Sequence, residues 1–288
     1  MATLKAIKTR IKSIESTQQI TQAMKLVSAA KLRRTQDKII HLREYSNVLT
    51  DFLQLIFDED NASISTFFNE RNEGKILLVA FSSNRGLCGT YNANIVREVN
   101  NYVNNLSSEE RNNLEIITIG KKVFDGIKKN NYPVIATYDE LIDKLDYEII
   151  KNLSTQWVKD FIEMKYKKIV FIHNKFKNAA QQYVNNYQFL PLTFKKENSD
   201  NDLFILEPKK SEFAKILLPK YLNTIVYQIL LDSSVSEHGA RMTAMSKATD
   251  NANEILKDLR LQYNKARQDA ITKELIEIVN GVEALKDN

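Results

Sequence analysis

The sequence contains few residues that break helices, since only seven of its 288 residues are glycine and four are proline. This scarcity favours long helices and argues against an all-β sandwich or a propeller. Cys88 is the single cysteine, so no disulfide can form within the chain, and a reducing compartment is indicated. The longest uncharged, mostly apolar run, 221–231, is far shorter than the ~20 residues of a membrane helix, so we expect no direct membrane insertion.

Positive charge is concentrated near the N-terminus, although the whole chain carries a formal net charge of only +5. Residues 1–43 contain ten Lys or Arg against two acidic residues, Glu15 and Asp37. Such a segment can be a mitochondrial targeting peptide. Here, however, the apolar periodicity continues beyond any cleavage point, and no processing site bounded by arginine is evident. There is no apolar signal-peptide core either, so the sequence predicts a protein that stays in the cytoplasm.

The first 57 residues predict one long helix, because residues 2–57 contain no glycine and no proline. Steps of four and three from Ile7 reach fifteen positions, of which nine are Ile or Leu. This spacing is typical of a coiled-coil seam. The seam is polar or small from Gln18 to Ser28. That stretch is either a register defect or a surface that faces something other than its partner helix.

The middle of the chain changes to short apolar runs that predict strands buried on both faces. Alternating strands and helices indicate an α/β layer with a largely parallel sheet. The predicted strands are 75–83, 115–120, 134–138 and 168–173, with helices near 91–106, 121–130 and 146–165 and edge strands at 180–190 and 203–206.

In the last part, from 211 to about 285, Pro219 fits the first turn of a second long helix, which is predicted to continue from there to Leu285. Isolated helices of this length need a packing partner, which must be the first helix. The predicted fold is therefore α/β, with a long antiparallel coiled coil of the terminal helices and a central Rossmann-like α/β domain. The expected boundaries are 1–58 for the first helix, 74–208 for the α/β domain and 211–288 for the last helix.

Sequence motifs for catalysis are missing. There is no phosphate-binding loop of the G-x-x-x-x-G-K-[ST] or G-x-G-x-x-G type. Loop 82–89 carries an arginine, two glycines and Cys88, so an anion site or a thiol nucleophile is conceivable, but a strand-to-helix turn needs glycine anyway. The three histidines, His41, His173 and His238, lack the spacing of metal ligands. The residues alone indicate a non-enzymatic protein, and its basic helix suits either nucleic acid or an acidic protein.

Five stretches go further, and together they span nearly the whole chain. They read LKAIKTRIKSI at 4–14, TQQITQAMKLVSAAKLRR at 17–34, NRGLCGTYN at 84–92, SEHGARMTAMSKATDN at 236–251 and YNKARQDAITKELIEIV at 263–279. In this order and at these separations, they closely resemble the gamma subunit of F-type ATP synthases.

The resemblance implies a central stalk that turns inside a ring of catalytic and non-catalytic nucleotide-binding subunits and couples this rotation to proton or ion flow. It implies two further partners, an epsilon subunit and a membrane ring of proteolipid subunits. It implies no nucleic acid, no cofactor and no metal, and a peripheral place on the cytoplasmic face of the cell membrane. A paralogous rotary ATPase with another output stays open as an alternative, as does, more remotely, a coiled-coil nucleic-acid scaffold.

The resemblance also implies contact residues. Met24 and Lys25 match the part of the first helix that faces the acidic lever of the catalytic subunits. Arg267 and Gln268 match a pair that binds a loop of one catalytic subunit, with Thr272 and Glu274 one to two turns beyond. The tip that turns in an apolar collar comprises Ile276, Ile278, Val279, Val282 and Leu285.

Three features depart from the family pattern. Phe204 and Leu206 match positions near the membrane ring that the family often fills with tyrosine, so the tyrosine hydroxyls are missing from that predicted contact. Thr90 replaces a usual glycine in the central loop, and Gly239 replaces a usual alanine or serine.

Overall fold

The computed structural model describes residues 4–56, 65–193 and 210–286. The chain forms two compact units, of which the larger comprises residues 28–241 and the smaller residues 1–27 with 242–288. Two long helices, α1 (Leu4–Ile56) and α7 (Lys210–Lys286), contribute residues to both units. None of the helices in the described part of the chain is both long and apolar enough to cross a membrane.

A five-stranded sheet forms the centre of the larger unit, in the order β3-β2-β1-β4-β5. β1 pairs in parallel with β2 and β4, β3 extends the parallel part beside β2, and β4 and β5 form an antiparallel hairpin. The strands are β1 (Lys75–Phe81), β2 (Leu114–Ile119), β3 (Val134–Tyr138), β4 (Tyr166–Asn178) and β5 (Gln181–Leu190). β4 is longer than the sequence predicts, because its second half pairs only with β5 and therefore lacks a continuous apolar run.

Five shorter helices connect the strands in the described part of the chain, and two of them begin at side-chain caps. Ser107 and Glu110 form a capping box, in which each side chain accepts a hydrogen bond from the other residue's backbone N–H. Asp146 caps another helix by accepting from the N–H of Glu148. The helices are α2 (Tyr91–Asn105), α3 (Ser108–Asn112), α4 (Lys121–Ile127), α5 (Glu140–Asp143) and α6 (Tyr147–Ile162), and a 3₁₀ turn at Lys128–Asn130 follows α4.

The sheet separates two apolar cores. One core packs α2 and α4 against the sheet through fully buried side chains such as Ile95, Val99 and Val123. The other core contains Trp157 and Phe161 of α6 together with residues from the ends of α1 and α7. Because both faces are covered, β1 is buried from Ile76 to Phe81, as its continuous apolar run predicts.

The C-terminal helix begins earlier than expected. α7 starts at Lys210 and runs for 77 residues, so Pro219 lies inside it and not in its first turn. Ala214, Leu217 and Leu218 are buried in the second core, and this packing stabilises the extra turns ahead of the proline. The predicted strand at 203–206, with Phe204 and Leu206, lies outside the described residues.

The smaller unit is an antiparallel pair of helical segments. Three contacts join α1 to α7 in opposite order along the two helices: Glu15 with Arg260, Gln18 with Asn253, and Thr21 with Thr249. Buried apolar residues fill the rest of this interface, namely Ile7, Met245, Ala252, Leu256 and Leu259. The predicted fold class is confirmed, whereas the predicted three-part domain boundaries stay a prediction.

Candidate subunit-binding surface

The polar stretch of the α1 seam faces α7. Thr249 Oγ1 donates to Thr21 Oγ1 at 2.9 Å, and Gln18 Nε2 donates to Asn253 Oδ1 at 2.8 Å. Thr21 in turn donates to its own helix, at the Gln18 carbonyl. The hypothesis that this stretch faces something other than its partner helix is therefore wrong for Gln18 and Thr21, whose polar groups bond across the pair.

The outer side of the same part of α1 is apolar. Ile20 and Val27 are 60% and 58% exposed, and Met24 between them is half-buried. Spacings of four and three residues place Ile20, Met24 and Val27 on one stripe of the helix. Lys25, next to Met24 in sequence, is also half-buried. Exposed apolar stripes of this kind mark interaction sites, and this stripe surrounds the predicted contact at Met24.

Arg267 and Gln268 are exposed on α7. Within residues 4–56, 65–193 and 210–286, neither side chain makes a hydrogen bond or an ion pair. Arginine offers five donors, and glutamine offers both a donor and an acceptor. Thr272 and Glu274 lie on the same exposed part of α7. The arrangement leaves the hydrogen-bonding groups of Arg267 and Gln268 accessible to a polar loop of another subunit.

The far end of α7 exposes large apolar side chains. The α1–α7 contacts put the start of α1, at Leu4, opposite the part of α7 just before Ile271. Beyond that point the described part of α1 offers α7 no partner. The exposed fractions of the apolar side chains there lie between 49% and 62% for Ile271, Leu275, Ile276, Ile278, Val279 and Val282. Leu285 belongs to the same helix, but its side chain lies outside the described set.

Loop 82–89 is held by the chain itself and offers little to a ligand. The Arg241 guanidinium donates to the Arg85 carbonyl at 3.1 Å and to the Gly86 carbonyl at 3.4 Å. Cys88 is buried against Ser83 and Asn92, and burial raises the pKa of its thiol. A raised thiol pKa disfavours the thiolate that a nucleophile needs. Among the described residues, no cluster of His, Cys, Asp or Glu is arranged to hold a metal ion.

The ion pair beneath this loop was not singled out from the sequence. Arg241 Nη1 donates to Glu237 Oε1 at 2.5 Å, and both side chains are at most a tenth exposed. Burial raises the pKa of Glu237, and the charge of Arg241 opposes that rise. The available signal is the four-residue spacing of Glu237 and Arg241 in a stretch of small uncharged residues, which is the spacing of a helical ion pair.

Comparison with known proteins assigns the family. A family model described as ATP synthase matches residues 3–285. The ATP synthase gamma chain of Christiangramia forsetii is 46% identical over 287 residues and that of Flavobacterium johnsoniae is 44% identical over 289, with 99% of each chain covered in both cases.

Solved structures share the fold. A chain of the Euglena gracilis mitochondrial ATP synthase has a TM-score of 0.68 at 18% identity, with 98% of this chain and 94% of that chain covered. A chain of the Tetrahymena thermophila mitochondrial ATP synthase has a TM-score of 0.59 at 24% identity, with 80% and 99% covered. The sequence matches and the shared fold agree, and the chain belongs to the family of ATP synthase gamma chains.

Proposed function

We propose that this chain, a central-stalk rotor subunit of an F-type ATP synthase, is itself non-catalytic and acts by mechanical contact. Its smaller unit contacts the nucleotide-binding subunits of the surrounding ring and cycles the catalytic subunits among their conformations. The observation that carries this proposal is the exposed apolar end of α7, residues 271–282, on a helix without a partner from the described part of α1.

An apolar tip suits a rotating contact. Burial of apolar surface is favourable but not directional, so a rod of this kind can turn in an apolar collar without losing a fixed bond at each angle. The half-exposed side chains of Ile276, Ile278, Val279 and Val282 offer such a surface. We assign the collar contact to these four residues and to Leu285.

Directional contacts are needed as well, because a rotor must engage one catalytic subunit at one angle. Arg267 and Gln268 project from α7, and their hydrogen-bonding groups have no partner among the described residues. We assign to them the contact with a loop of a catalytic subunit. Thr272 and Glu274 extend the same surface. Met24 and Lys25 serve a sliding contact on α1, where the flexible thioether of Met24 adapts to a moving partner.

The larger unit supports a non-catalytic role. In doubly wound sheets, ligands bind in the crevice outside the carboxyl ends of the strands, where the strand order reverses. Here that crevice lies between β1 and β4, and residues of α7 occupy it. Ser236 Oγ donates to the Asn174 carbonyl, which follows the apolar run of β4. The Arg241 guanidinium donates to the Arg85 carbonyl in the loop after β1.

Partners of the larger unit are inferred from the family. The solved Tetrahymena structure is a central stalk with a c-ring, and the solved Euglena structure comprises OSCP, F1 and a c-ring. For this chain we infer a ring of proteolipid subunits and an epsilon subunit at the larger unit, with Phe204 and Leu206 near the ring. The assembly is then a peripheral part of a membrane complex, on the cytoplasmic face in a bacterium.

Copurification tests the proposed function. A tagged copy of this chain is expressed in its own host, membranes are solubilised in mild detergent, and the captured proteins are identified. We expect nucleotide-binding subunits, an epsilon subunit and a proteolipid ring. Capture of the nucleotide-binding subunits with other proteins in place of the proteolipid would favour a paralogous motor. Capture without any nucleotide-binding subunit would overturn the proposal, as would ATP turnover by the purified chain alone.

A further inference from the structure

α7 is enclosed by the larger unit over two and a half turns. Nine consecutive residues, 229–237, are all buried, and none is more than 9% exposed. A helix that is buried on every side is unusual unless it passes through a core. Five of these nine residues, all within 232–237, are serines or acidic residues, so this enclosed stretch carries polar groups that apolar packing alone does not require.

Polar contacts from three different elements converge on this segment. From α2, Tyr91 Oη donates to the Ser233 carbonyl at 3.0 Å. On the β4 side, Ser236 Oγ donates to the Asn174 carbonyl at 3.3 Å. From α1, the Arg43 guanidinium donates to the Asp232 carboxylate.

Two further bonds strengthen this arrangement. The Arg43 guanidinium also donates to the Phe176 carbonyl of β4 at 3.3 Å, so one side chain joins α1, β4 and α7. At the end of the enclosed segment, Arg241 donates to the carbonyls of Arg85 and Gly86 in the loop after β1. We call residues 229–241 of α7 the key segment.

The contacts are spread around the helix. A helix turns by about 100° per residue, so Ser236, Ser233 and Arg241 lie at about 40°, 100° and 180° from Asp232. The key segment is thus held over about half its circumference by directional bonds. A roll of the helix by one position would break all of them and separate the buried Asp232 carboxylate from the Arg43 guanidinium, which is costly.

We propose that the key segment locks α7 against rotation about its own axis within the larger unit, and that Tyr91, Ser236 and Arg43 are the positioning residues of this lock. The inference rests on the proposed function, because only a rotor must pass torque from its base into α7. Apolar packing elsewhere on α7, at Leu222 or Val226 for example, resists separation but is not directional. The hydrogen bonds of the key segment supply the resistance to rolling.

The lock is tested in the assembled complex by Tyr91→Phe and by Tyr91→Phe combined with Ser236→Ala. Both changes keep the packing volume nearly constant and remove only hydroxyl groups. The matched control is Tyr166→Phe, which removes a hydroxyl that donates to Glu115 at 2.8 Å, away from α7. A bead is attached through Lys129→Cys, an exposed position of the larger unit, and the buried Cys88 does not compete for the label.

The measured quantity is the angular variance of the bead when the ring is immobilised and stalled with a non-hydrolysable nucleotide. We expect the variance to rise in Tyr91→Phe, to rise further in the double variant, and to equal that of the parent in Tyr166→Phe. Equal variance in all four proteins would overturn the lock, and so would an equal rise in the control. If the parent complex itself does not rotate with ATP, the proposed function fails, which separates that outcome from a failure of the lock.

Discussion

Thr21 and Thr249 face each other across the helix pair, with their Oγ1 atoms 2.9 Å apart. Thr249 donates to Thr21, and Thr21 donates to the carbonyl of Gln18, so a short chain of hydrogen bonds crosses the buried interface. Polar pairs inside a coiled coil fix its register at some cost in stability. Hydrogen bonds between the two helices of the same chain therefore explain why the seam is polar at these positions.

This pair predicts a measurable coupling. Thr249→Val removes the donor, and we expect the helix pair to lose about 1 kcal/mol of stability, as for a typical hydrogen bond. The double variant Thr21→Val Thr249→Val should lose less than the sum of the two single variants, because each single variant already breaks the one hydrogen bond that joins the two side chains. Hydrogen exchange of the amides of residues 245–253 in the full chain measures these differences. Strictly additive losses would show that the two hydroxyls do not interact.

Replacing Arg267 and Gln268 is expected to slow ATP turnover by the complex without impairing its assembly. A charge-assisted hydrogen bond contributes about 1.5–3 kcal/mol. If this bond forms at only one rotor angle, then Arg267→Ala Gln268→Ala should slow ATP hydrolysis by the complex roughly ten- to hundredfold. The control is Lys273→Ala Glu277→Ala, which removes an exposed ion pair from the same helix. Normal turnover at stoichiometric incorporation would assign Arg267 and Gln268 to solvated surface.

The apolar tip predicts opposite effects on the isolated chain and on the complex. Ile278→Gln Val279→Gln introduces a good helix former at both positions and removes two half-exposed apolar side chains. Light scattering should show less aggregation of the isolated chain, and the complex should retain the variant about tenfold less tightly. Lys273→Gln Glu277→Gln serves as the control. Unchanged retention in the complex would contradict the collar contact.

His173 predicts a loss of stability in mild acid. Burial holds the pKa of His173 at about 4, below its ordinary value of 6.5. At pH values between these two pKa values, His173 is protonated in the unfolded chain but neutral in the folded chain. The free energy of unfolding therefore falls as the pH falls, by roughly 3 kcal/mol over this pH range. Urea unfolding should show a flatter dependence on pH in His173→Gln.

The control for this prediction is His41→Gln, which changes an exposed histidine of α1. Its unfolding should follow the pH dependence of the parent. Part of the slope remains in His173→Gln, because burial and two nearby cations also lower the pKa of His238 to about 4. An identical slope in the parent and in His173→Gln would refute the prediction.

Local patterns predict the elements of this fold well. The run at 75–83 predicts β1, because a strand covered on both faces must be apolar throughout. The seam positions of α1 predict its buried side chains, since Ile7, Leu32, Ile39 and Leu49 are all buried there. These features depend on periodicity alone, which the sequence shows directly.

Features that depend on pairing between distant segments are not predictable in this way. The early start of α7 depends on the core that receives Ala214 and Leu217, and not on the local signal of Pro219. The role of Arg241 depends on a loop more than 150 residues earlier. Arg267 and Gln268, the proposed contact residues, look like any solvated helix face, and only the resemblance to a family singles them out.

Single-molecule rotation tests the central claim most directly. The complex is fixed by its ring of nucleotide-binding subunits, and a bead is attached to this chain at Lys129→Cys. On addition of ATP we expect the bead to turn in one direction for as long as ATP is hydrolysed, and to stop when ATP is removed. Full ATP hydrolysis with a stationary bead on an intact, stoichiometric complex would contradict the assignment of this chain as the rotor.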